Sequence, residues 1–438
     1  MEHAALNGSP VRKLERSLGT GSAALLGLGS IFGTGVFVAI GLGVNLAGYW
    51  IVPAIALAGL VAACNALSSA ELAAAFPVSG GTYEYGYRLL HPLAGFSAGW
   101  LFLLAKSASA AGAALGAAAY GLRLFGQDDP RIIIATGLIL VLAVTLLVLS
   151  GLRRSNMANT LIVALTLIAL LAFVIAALPD TGTRLRTIAA RDLGADAPGW
   201  TIFAYATALM FVAYTGYGRI ATMGEEVVAP ESTIPRAIIL TLAVSLLVYL
   251  SVAICMAALM PAGTARSLAD AATPLESAAR SLQLPWLSLL VSAGAITAML
   301  GVLLNLVLGL SRVVLAMARR GDLPGLLSNL TGRGNPALAI LAVGASILAL
   351  VLTGNIETVW SFSAFTVLIY YAVTNIAALR LNPAQRLYPR WISAAGLLGC
   401  LALAAFIPVS VWLAGASLLA LGLGVRYFVN RRKAAPDR

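Results

Sequence analysis

Long apolar stretches alternate with short polar connectors along almost the whole chain, and this pattern predicts membrane-spanning helices. A helix that crosses the hydrocarbon core needs about 20 mostly apolar residues. Twelve stretches meet this requirement: residues 20–43, 51–76, 93–124, 131–150, 157–178, 200–224, 235–260, 285–317, 336–353, 357–379, 391–408 and 410–428. No connector is long enough for a soluble domain, so we expect an all-helical integral membrane protein.

Two of these spans are interrupted by glycines. The first span contains GLGSIFGTGVF, from Gly27 to Phe37, and the sixth contains FVAYTGYG, from Phe211 to Gly218. Backbone groups released by a helix break at membrane depth persist only where they line a cavity or meet a ligand. Discontinuous helices at matching positions of two halves are typical of a transporter's binding site.

The matched interruptions start five spans apart and therefore predict two structural repeats. Each repeat has an odd number of spans, so the second is inverted relative to the first. We predict five-helix repeats at residues 20–178 and 200–380, followed by two further helices at 391–430. Short tails at 1–19 and 431–438 complete the chain.

Composition and charge support a membrane location. Of the 438 residues, 60% are hydrophobic and 10% charged, whereas about a quarter are charged in soluble proteins. With the N-terminus in the cytoplasm, most of the 28 Lys and Arg residues fall on the cytoplasmic side, as the positive-inside rule requires. We therefore expect a plasma-membrane protein with both termini cytoplasmic. The net charge of +11 indicates topology and contact with anionic lipid, not nucleic-acid binding.

Residues for catalysis or metal binding are not apparent. Cys64, Cys255 and Cys400 all fall within predicted spans, and the two histidines, His3 and His91, lack metal-ligand spacing. No nucleophile elbow, phosphate loop or zinc motif is present. We expect no catalytic residue, no metal and no cofactor, and hence a protein that is not an enzyme.

The glycines of the first interruption indicate how that helix would open. Gly33 and Gly35 permit backbone angles that other residues resist, so we expect unwinding between Ser30 and Thr34 and a new half-helix from about Gly35. The half-helix would direct its free N–H groups and the positive end of its dipole at the break. This predicts an anion site at the middle of the membrane.

The second interruption predicts the opposite charge preference. Gly216 and Gly218 allow unwinding, and carbonyl groups near Val212, Ala213 and Thr215 would then face a cation. An anion site opposite a cation site matches the carboxylate and the amine of an amino acid. For either glycine cluster alone, tight helix packing or a plain kink is the alternative.

Four segments, in order, resemble signatures of permeases of the amino acid–polyamine–organocation superfamily. They are GLGSIFGTGVF (27–37), ALSSAELAAAFPVSGGTYEYGY (66–87), FVAYTGYGRIATMGEEVVAPESTIPRAI (211–238) and GLSRVVLAMARRGDLP (309–324). The resemblance covers nearly the whole chain. It implies a LeuT-type fold with broken helices 1 and 6, alternating access, and amino acid transport.

The resemblance also implies roles for individual residues. Backbone amides of Thr34 and Gly35 would bind the substrate carboxylate. The amine would be bound by carbonyl groups near Ile31, Val212 and Thr215.

Tyr217 would border the same site, and the chain departs from the superfamily pattern nearby. Gly218 and Arg219 follow the second aromatic residue of the sixth-helix motif, where many members have Asp. The sequence 229–230 is Ala-Pro in place of Asn-Pro. Some proton-coupled members carry a lysine in the fifth helix, where this chain has Thr166; that route of proton coupling therefore lacks its residue.

Lys106 lies near the middle of the third span, and ionisable residues inside spans are functional candidates. We expect it to border the transport path, as a proton carrier or as a fixed cation near the position of a coupling ion. The alternative is a structural lysine bonded to carbonyl groups of a neighbouring helix.

Arg219, in the sixth span, is the second such cation. Glu71 lies about six residues from the end of the second span, at a similar depth. We therefore predict a Glu71–Arg219 ion pair that neutralises both groups. The alternatives place Arg219 in a pair within its own helix or facing cytoplasmic water.

Glu225 and Glu226 follow at the negative end of the same half-helix, which is unfavourable for anions. We expect a basic residue, Arg88 or Arg236, to compensate and to form a latch at the cytoplasmic gate. The alternative is an exposed acidic helix end.

These observations predict a secondary transporter that moves an L-amino acid across the plasma membrane. Its other partners would be membrane lipid and a coupling proton or cation. A polyamine or cationic amino acid antiporter is the alternative within the class. An ion channel or a nutrient sensor without turnover is the alternative from another class.

Overall fold

The regular structure of the chain is helical, as the apolar stretches predict. The computed structural model describes residues 18–77, 80–151, 156–189, 197–223, 227–260, 262–263, 267–331 and 334–434. The first half contains α1 (Thr20–Ile31), a π-helical segment (Gly35–Ala39) that continues into α2 (Ile40–Ala47), α3 (Ile51–Ala75), α4 (Thr82–Leu89), α5 (Pro92–Arg123), α6 (Pro130–Leu149) and α7 (Asn156–Ala189).

The second half starts with another divided helix. It contains α8 (Trp200–Tyr214), a 3-10 turn (Thr215–Tyr217), α9 (Gly218–Ala221), α10 (Pro230–Leu259), α11 (Leu268–Ala272), α12 (Pro274–Ser281), α13 (Pro285–Arg320), α14 (Ala337–Val351), α15 (Ile356–Leu379), α16 (Arg390–Ala405) and α17 (Val409–Ala434).

Eight helical stretches in the described part of the chain are long and apolar enough to cross a membrane. The sequence predicts twelve spans, and the difference has a structural cause. The breaks divide the first and sixth predicted spans into short helices. In addition, a 3-10 turn at Gly48–Trp50 joins α2 to α3, so that 35–75 forms one stretch. Helices α1, α14 and α16 are apolar but short.

Many helices begin where the sequence supplies a start signal. Proline occupies the first turn of α5, α6, α10, α12 and α13, where its missing N–H has no intrahelical partner to lose. Asp129 caps α6 by accepting from the N–H of Arg131, and Asn355 caps α15 by accepting from that of Thr358. Local chemistry therefore sets these boundaries.

Helix α5 is the axis of the bundle. In its most apolar window 83% of the residues are buried, against 28% in α6. Small residues make this possible, because they let neighbouring backbones approach closely. A Cβ atom on Gly116 would lie 2.5 Å from Sδ of Met299 in α13, so α5 packs tightly against α13 at this glycine.

A polar and aromatic segment after α3 contains the short helix α4. Helix α4 lies along the start of α5, and a Cβ atom on Gly86 would lie only 2.6 Å from Cα of Gly95. The two helices therefore cross at glycines. An ion pair of 2.7 Å between Glu84 of α4 and Arg320 places α4 at the end of the bundle where α13 also ends.

Candidate functional site

The first helix break lies where the glycines predict it. Helix α1 ends at Ile31, and Phe32 adopts an extended conformation (φ −78°, ψ 107°). The chain becomes helical again at Thr34, and the π-helical segment begins at Gly35. The first N–H groups of a helix have no partner within it and carry the positive end of the dipole. The break therefore presents donors to whatever lies beside it.

The second break follows α8. The N–H of Thr215 donates to the carbonyl oxygen of Val212, and the Thr215 hydroxyl donates to the same oxygen at 2.8 Å. A carbonyl oxygen has two lone pairs, so both positions on Val212 are already occupied. This carbonyl is thus less available to a ligand than the sequence indicates.

Glycines bring the two breaks into direct contact. A Cβ atom on Gly216 would lie 2.6 Å from the carbonyl carbon and oxygen of Ser30, and one on Gly35 would lie 2.9 Å from Cβ of Ala213. Any side chain at either position would collide with the other break. The crossing therefore depends on both glycines.

Tyr249, on α10, connects the two breaks. Its hydroxyl lies 3.1 Å from the carbonyl oxygen of Ile31 and 3.0 Å from that of Ala213. The side chain is buried. Sequence reasoning missed this residue, and the available signal was a lone tyrosine in the middle of an otherwise apolar span.

A cavity of about 60 Å³ lies at the crossing. It is lined by all but one of the predicted substrate residues: Ser30, Ile31, Gly33, Thr34, Gly35, Val212, Ala213 and Thr215. Tyr217 is the exception, since its buried ring packs against Tyr371 with centroids 5.4 Å apart. The structure thus brings the residues of both breaks to one cavity.

Other helices complete the wall of this cavity. Lining residues that the sequence did not identify as a site are Ser109, Gly216, Val302, Asn305, Leu306 and Trp360. Asn305 offered a signal, because it is a polar residue in an apolar stretch of α13. Ser109 and Trp360 offered none, because nothing local shows that α5 and α15 face the breaks.

Lys106 also lines the cavity, and its role beside a transport path stays a prediction. Its Nζ donates to the hydroxyl of Thr215 at 2.9 Å, and that hydroxyl donates to Val212. The alternative of a lysine bonded to carbonyl groups is not what is observed. Among the residues that the structure describes, no carboxylate forms an ion pair with Lys106.

A second cavity, of about 260 Å³, continues from the first towards α4. Both are lined by Ser30, Lys106, Thr215, Gly216, Asn305 and Leu306. Beyond these shared residues the larger cavity reaches Tyr83 of α4, Arg219, and Arg312 near the end of α13. The crossing is therefore accessible from the end of the bundle at which α4 lies, which we call the α4 end.

At the opposite end, where α12 lies, the described residues are held together by close contacts. Helices α4 and α12 contact opposite ends of α13, whose 36 residues span about 54 Å at 1.5 Å per residue. At the α12 end Arg123 pairs with Glu276 at 3.1 Å, and the Glu276 side chain is only 3% exposed. Closer to the cavity, the indole of buried Trp360 donates to the carbonyl of Leu209 at 2.9 Å.

The carboxylate of Glu71 does not form the predicted ion pair with Arg219. Buried Glu71 accepts hydrogen bonds from the backbone N–H of Tyr388 (3.4 Å) and from the hydroxyl of Ser393 (3.3 Å). Equal depth did not produce the pair, because Glu71 faces α16 whereas Arg219 lines the larger cavity.

Glu225 and Glu226 lie outside the described residues, so the predicted latch stays a prediction. Arg88, one of its two candidate partners, instead pairs with Glu84 at 2.7 Å, and Arg320 pairs with the same carboxylate. Although partial burial favours the neutral acid, the hydrogen bonds from Arg88 and Arg320 hold the pKa of Glu84 below its ordinary value. Arg236, the other candidate, is exposed.

A further polar cluster at the α4 end involves the last helix. Asp322 accepts hydrogen bonds from the hydroxyls of Tyr83 (2.7 Å) and Tyr87 (2.6 Å), and Arg426 of α17 pairs with it at 2.9 Å. Asp322 is buried and Arg426 nearly so. In the described part of the chain no group of three His, Cys, Asp or Glu residues is arranged to hold a metal ion.

Comparison with known proteins gives the family. The model of the amino acid permease family matches residues 23–436. An uncharacterised transporter of Mycobacterium tuberculosis is 42% identical over 97% of this chain and 94% of its own length. The branched-chain amino acid permease BcaP of Bacillus subtilis is 29% identical over 72% of this chain and 70% of its own.

The methylthioribose transporter of the same bacterium is 27% identical over 97% of this chain and 95% of its own. The substrates named for these relatives differ in chemistry, so the likeness gives a class of protein and no particular cargo. With its apolar helices and a family match over nearly its full length, the chain belongs to the amino acid permease family of the amino acid–polyamine–organocation superfamily and is a multi-pass membrane transport protein.

Proposed function

We propose that the protein is a secondary transporter that carries an L-amino acid across the plasma membrane by alternating access. One observation carries the proposal. Both helix breaks line a single cavity, and that cavity shares lining residues with a larger one that extends towards the α4 end. A site of this kind binds a small polar molecule and exposes it to one side of the membrane at a time.

The substrate carboxylate would bind at the start of the resumed half-helix. The N–H groups of Thr34 and Gly35 lie at its positive end, where an anion is stabilised. The amine would bind carbonyl oxygens across the cavity. Because the Val212 carbonyl already accepts two bonds from Thr215, we assign the amine to the carbonyls of Ile31 and Ala213, which the Tyr249 hydroxyl contacts in the absence of substrate.

The conformation corresponds to an inward-facing state. The positive-inside distribution assigns the α4 end, with Arg312 and Arg320, to the cytoplasm, the side on which we expect both termini. The larger cavity extends to that end. On the external side the Arg123–Glu276 pair ties α5 to α12, so α11 and α12 would form part of an external lid.

Transport would require one group of helices to move relative to another. We propose twelve spans in two inverted five-helix repeats, with α16 and α17 after them. The broken helices, together with α3 and α10, would rock against a scaffold of α5, α6, α13 and α14. Binding energy comes from backbone groups at the breaks, and no chemical change of the substrate is involved.

Two alternatives receive less support. A cationic substrate would share the path with Lys106, Arg219 and Arg312, which line the larger cavity. A channel would need a continuous opening, whereas buried Trp360 and the ion pair of Glu276 close the external end.

Uptake of labelled amino acids into proteoliposomes tests the proposal, and the chain offers a matched pair of variants. Gly216 and Gly309 both line the larger cavity. A Cβ atom at 216 would lie 2.6 Å from the Ser30 backbone, whereas one at 309 would meet nothing within 4 Å. We expect Gly216→Ala to reduce uptake about tenfold or more, equivalent to ~1.4 kcal/mol, and Gly309→Ala to leave it nearly unchanged.

Equal uptake by both variants would show that the crossing of the breaks is not the transport site. Uptake of no amino acid by the wild-type protein, in either direction and with or without proton and sodium gradients, would contradict the proposal itself.

A further inference from the structure

Among the residues that the structure describes along the proposed path, the charged ones are all of one sign. Lys106 lines both cavities, and Arg219 and Arg312 line the larger one. Among the described residues that line either cavity, no aspartate or glutamate is present. The path therefore favours molecules that carry excess negative charge.

Lys106 stands out because, among the residues that the structure describes, no carboxylate pairs with it. An ammonium group has three donors, and the described residues provide one acceptor, the hydroxyl of Thr215 at 2.9 Å. A charge buried at membrane depth is costly unless it is paired, so a ligand carboxylate beside Lys106 would be stabilised.

The surroundings of Lys106 are suited to a second polar group of a ligand. Asn305 of α13 and Ser109 of α5 line the same small cavity. The Ser109 hydroxyl is hydrogen-bonded to that of Ser363 at 2.9 Å, which fixes its position. The Asn305 amide can donate to a carboxylate, whereas the single hydrogen of the Ser109 hydroxyl goes to Ser363, whose own hydrogen is donated to the carbonyl oxygen of Ala105. The wall thus offers one further donor, the Asn305 amide, besides the ammonium.

The N–H groups at the start of the resumed half-helix are a separate anion site on the same cavity. If the α-carboxylate of the substrate occupies them, Lys106 faces the rest of the molecule. An apolar side chain would leave the ammonium unpaired, and a cationic one would add repulsion at close range. A side-chain carboxylate would balance the positive charge of Lys106, so that the two groups together would be neutral.

We propose that the preferred substrates are amino acids with an acidic side chain, and that Lys106 is the counter-ion of the side-chain carboxylate. This inference rests on the proposed function and specifies its substrate class. Lys106 is then a specificity-determining residue. Thr215 holds it in place and connects it to the second break.

The experiment measures uptake of L-aspartate and L-glutamate into proteoliposomes against their isosteric amides, L-asparagine and L-glutamine, with L-leucine and L-arginine as apolar and cationic comparisons. We expect the wild-type protein to prefer the acids about tenfold or more over the amides. Lys106→Met should abolish that preference by reducing acid uptake, whereas Lys106→Arg, which keeps the charge, should retain it in part.

Arg390→Gln is the matched control, since it removes an exposed cation that lines neither cavity; its order of preference should equal that of the wild type. Size-exclusion profiles establish that each variant is folded. If Lys106→Met does not fold, Lys106→Gln, which also removes the charge, replaces it, and an unchanged ratio of acid to amide KM in that variant would count against the proposal.

The possible failures are distinguishable. Transport of leucine or arginine in preference to the acids would overturn the inference and leave the proposed function intact. Loss of a pH-dependent uptake in Lys106→Met without any preference for acids in the wild type would make Lys106 a proton carrier, which also overturns it. If no amino acid is transported, the proposed function fails as well.

Discussion

The hydroxyl of Tyr249 donates to the carbonyl oxygen of Ala213 at 3.0 Å, and this contact ties α10 to the break after α8. The hydroxyl oxygen of Tyr249 also lies 3.1 Å from the carbonyl oxygen of Ile31. A phenol has a single hydrogen to donate, so the two carbonyls share it. Tyr249 thus contacts both of the acceptors that we assign to the substrate amine.

Removing this hydroxyl tests that arrangement. Tyr249→Phe leaves two buried carbonyl groups without their donor, at a cost of about 1–3 kcal/mol in the free energy of unfolding. We expect a lower thermal unfolding temperature that substrate restores in part, because the amine can take the place of the hydroxyl. Tyr427→Phe, at an exposed position, is the control, and an equal response of the two variants to substrate would contradict the role of Tyr249.

The ion pair between Arg123 and Glu276 should keep the external side closed. Glu276→Gln removes the attraction between α5 and α12, and we expect the outward-facing state to become more populated. Labelling by an impermeant thiol reagent from outside measures this, with Ser109→Cys introduced into a background of Cys64→Ser, Cys255→Ser and Cys400→Ser.

In that background, labelling should be faster when Glu276→Gln is present. Glu231→Gln is the control, because Glu231 lies exposed in the first turn of α10 and belongs to no ion pair at the α12 end. Equal labelling rates in all three proteins would show that the Glu276 pair has no part in gating.

The last helix contributes to stability through Arg426. Arg426→Ala would leave the buried carboxylate of Asp322 with only the hydroxyls of Tyr83 and Tyr87. Breaking one partner of a buried ion pair costs about 3–5 kcal/mol, so we expect a large fall in thermal stability. Arg431→Ala, at an exposed position of the same helix, should change little.

Arg426→Lys should recover part of this stability, since the charge is kept while the planar guanidinium geometry is lost. Thermal unfolding of the detergent-solubilised variants measures the series. A ranking in which Arg426→Lys is no better than Arg426→Ala would show that packing of the side chain, and not its charge, is what matters.

Glu84 should make the stability of the α4 end depend on pH. Its pKa is lower in the folded protein because Arg88 and Arg320 bind its ionised form. The stabilisation is therefore present above the ordinary pKa of a glutamate, about 4.3, and is lost as the pH falls through the lower, folded value. Thermal unfolding of wild type and Glu84→Gln should differ most near pH 7, and the difference should shrink as the pH falls below 4. A constant difference would contradict the pairing.

The two helix breaks could be predicted from the sequence because their cause is local. Glycines at 33, 35, 216 and 218 allow the backbone to leave the helix, and the structure interrupts α1 after Ile31 and α8 after Tyr214. That the residues around both breaks line one cavity depends on how the helices pack.

Glu71 illustrates where that reasoning ends. Depth along a helix follows from residue number, and on that basis Arg219 was its predicted partner. The direction in which a side chain points around the helix axis depends on how the helices are rotated against one another. The carboxylate in fact faces Tyr388 and Ser393, on and just before a helix more than 300 residues further along the chain, which no local pattern encodes.

By itself, the sequence determined an apolar helical chain, the places where two of its helices come apart, and a lysine buried among small residues. These properties depend on composition and on neighbours within one helical turn. Only the tertiary structure decided that Lys106 meets Thr215, 109 positions away, that Tyr249 joins the two breaks, and that the cavity opens at one end. Such contacts are set by the packing of whole helices, and packing is a property of all their surfaces together.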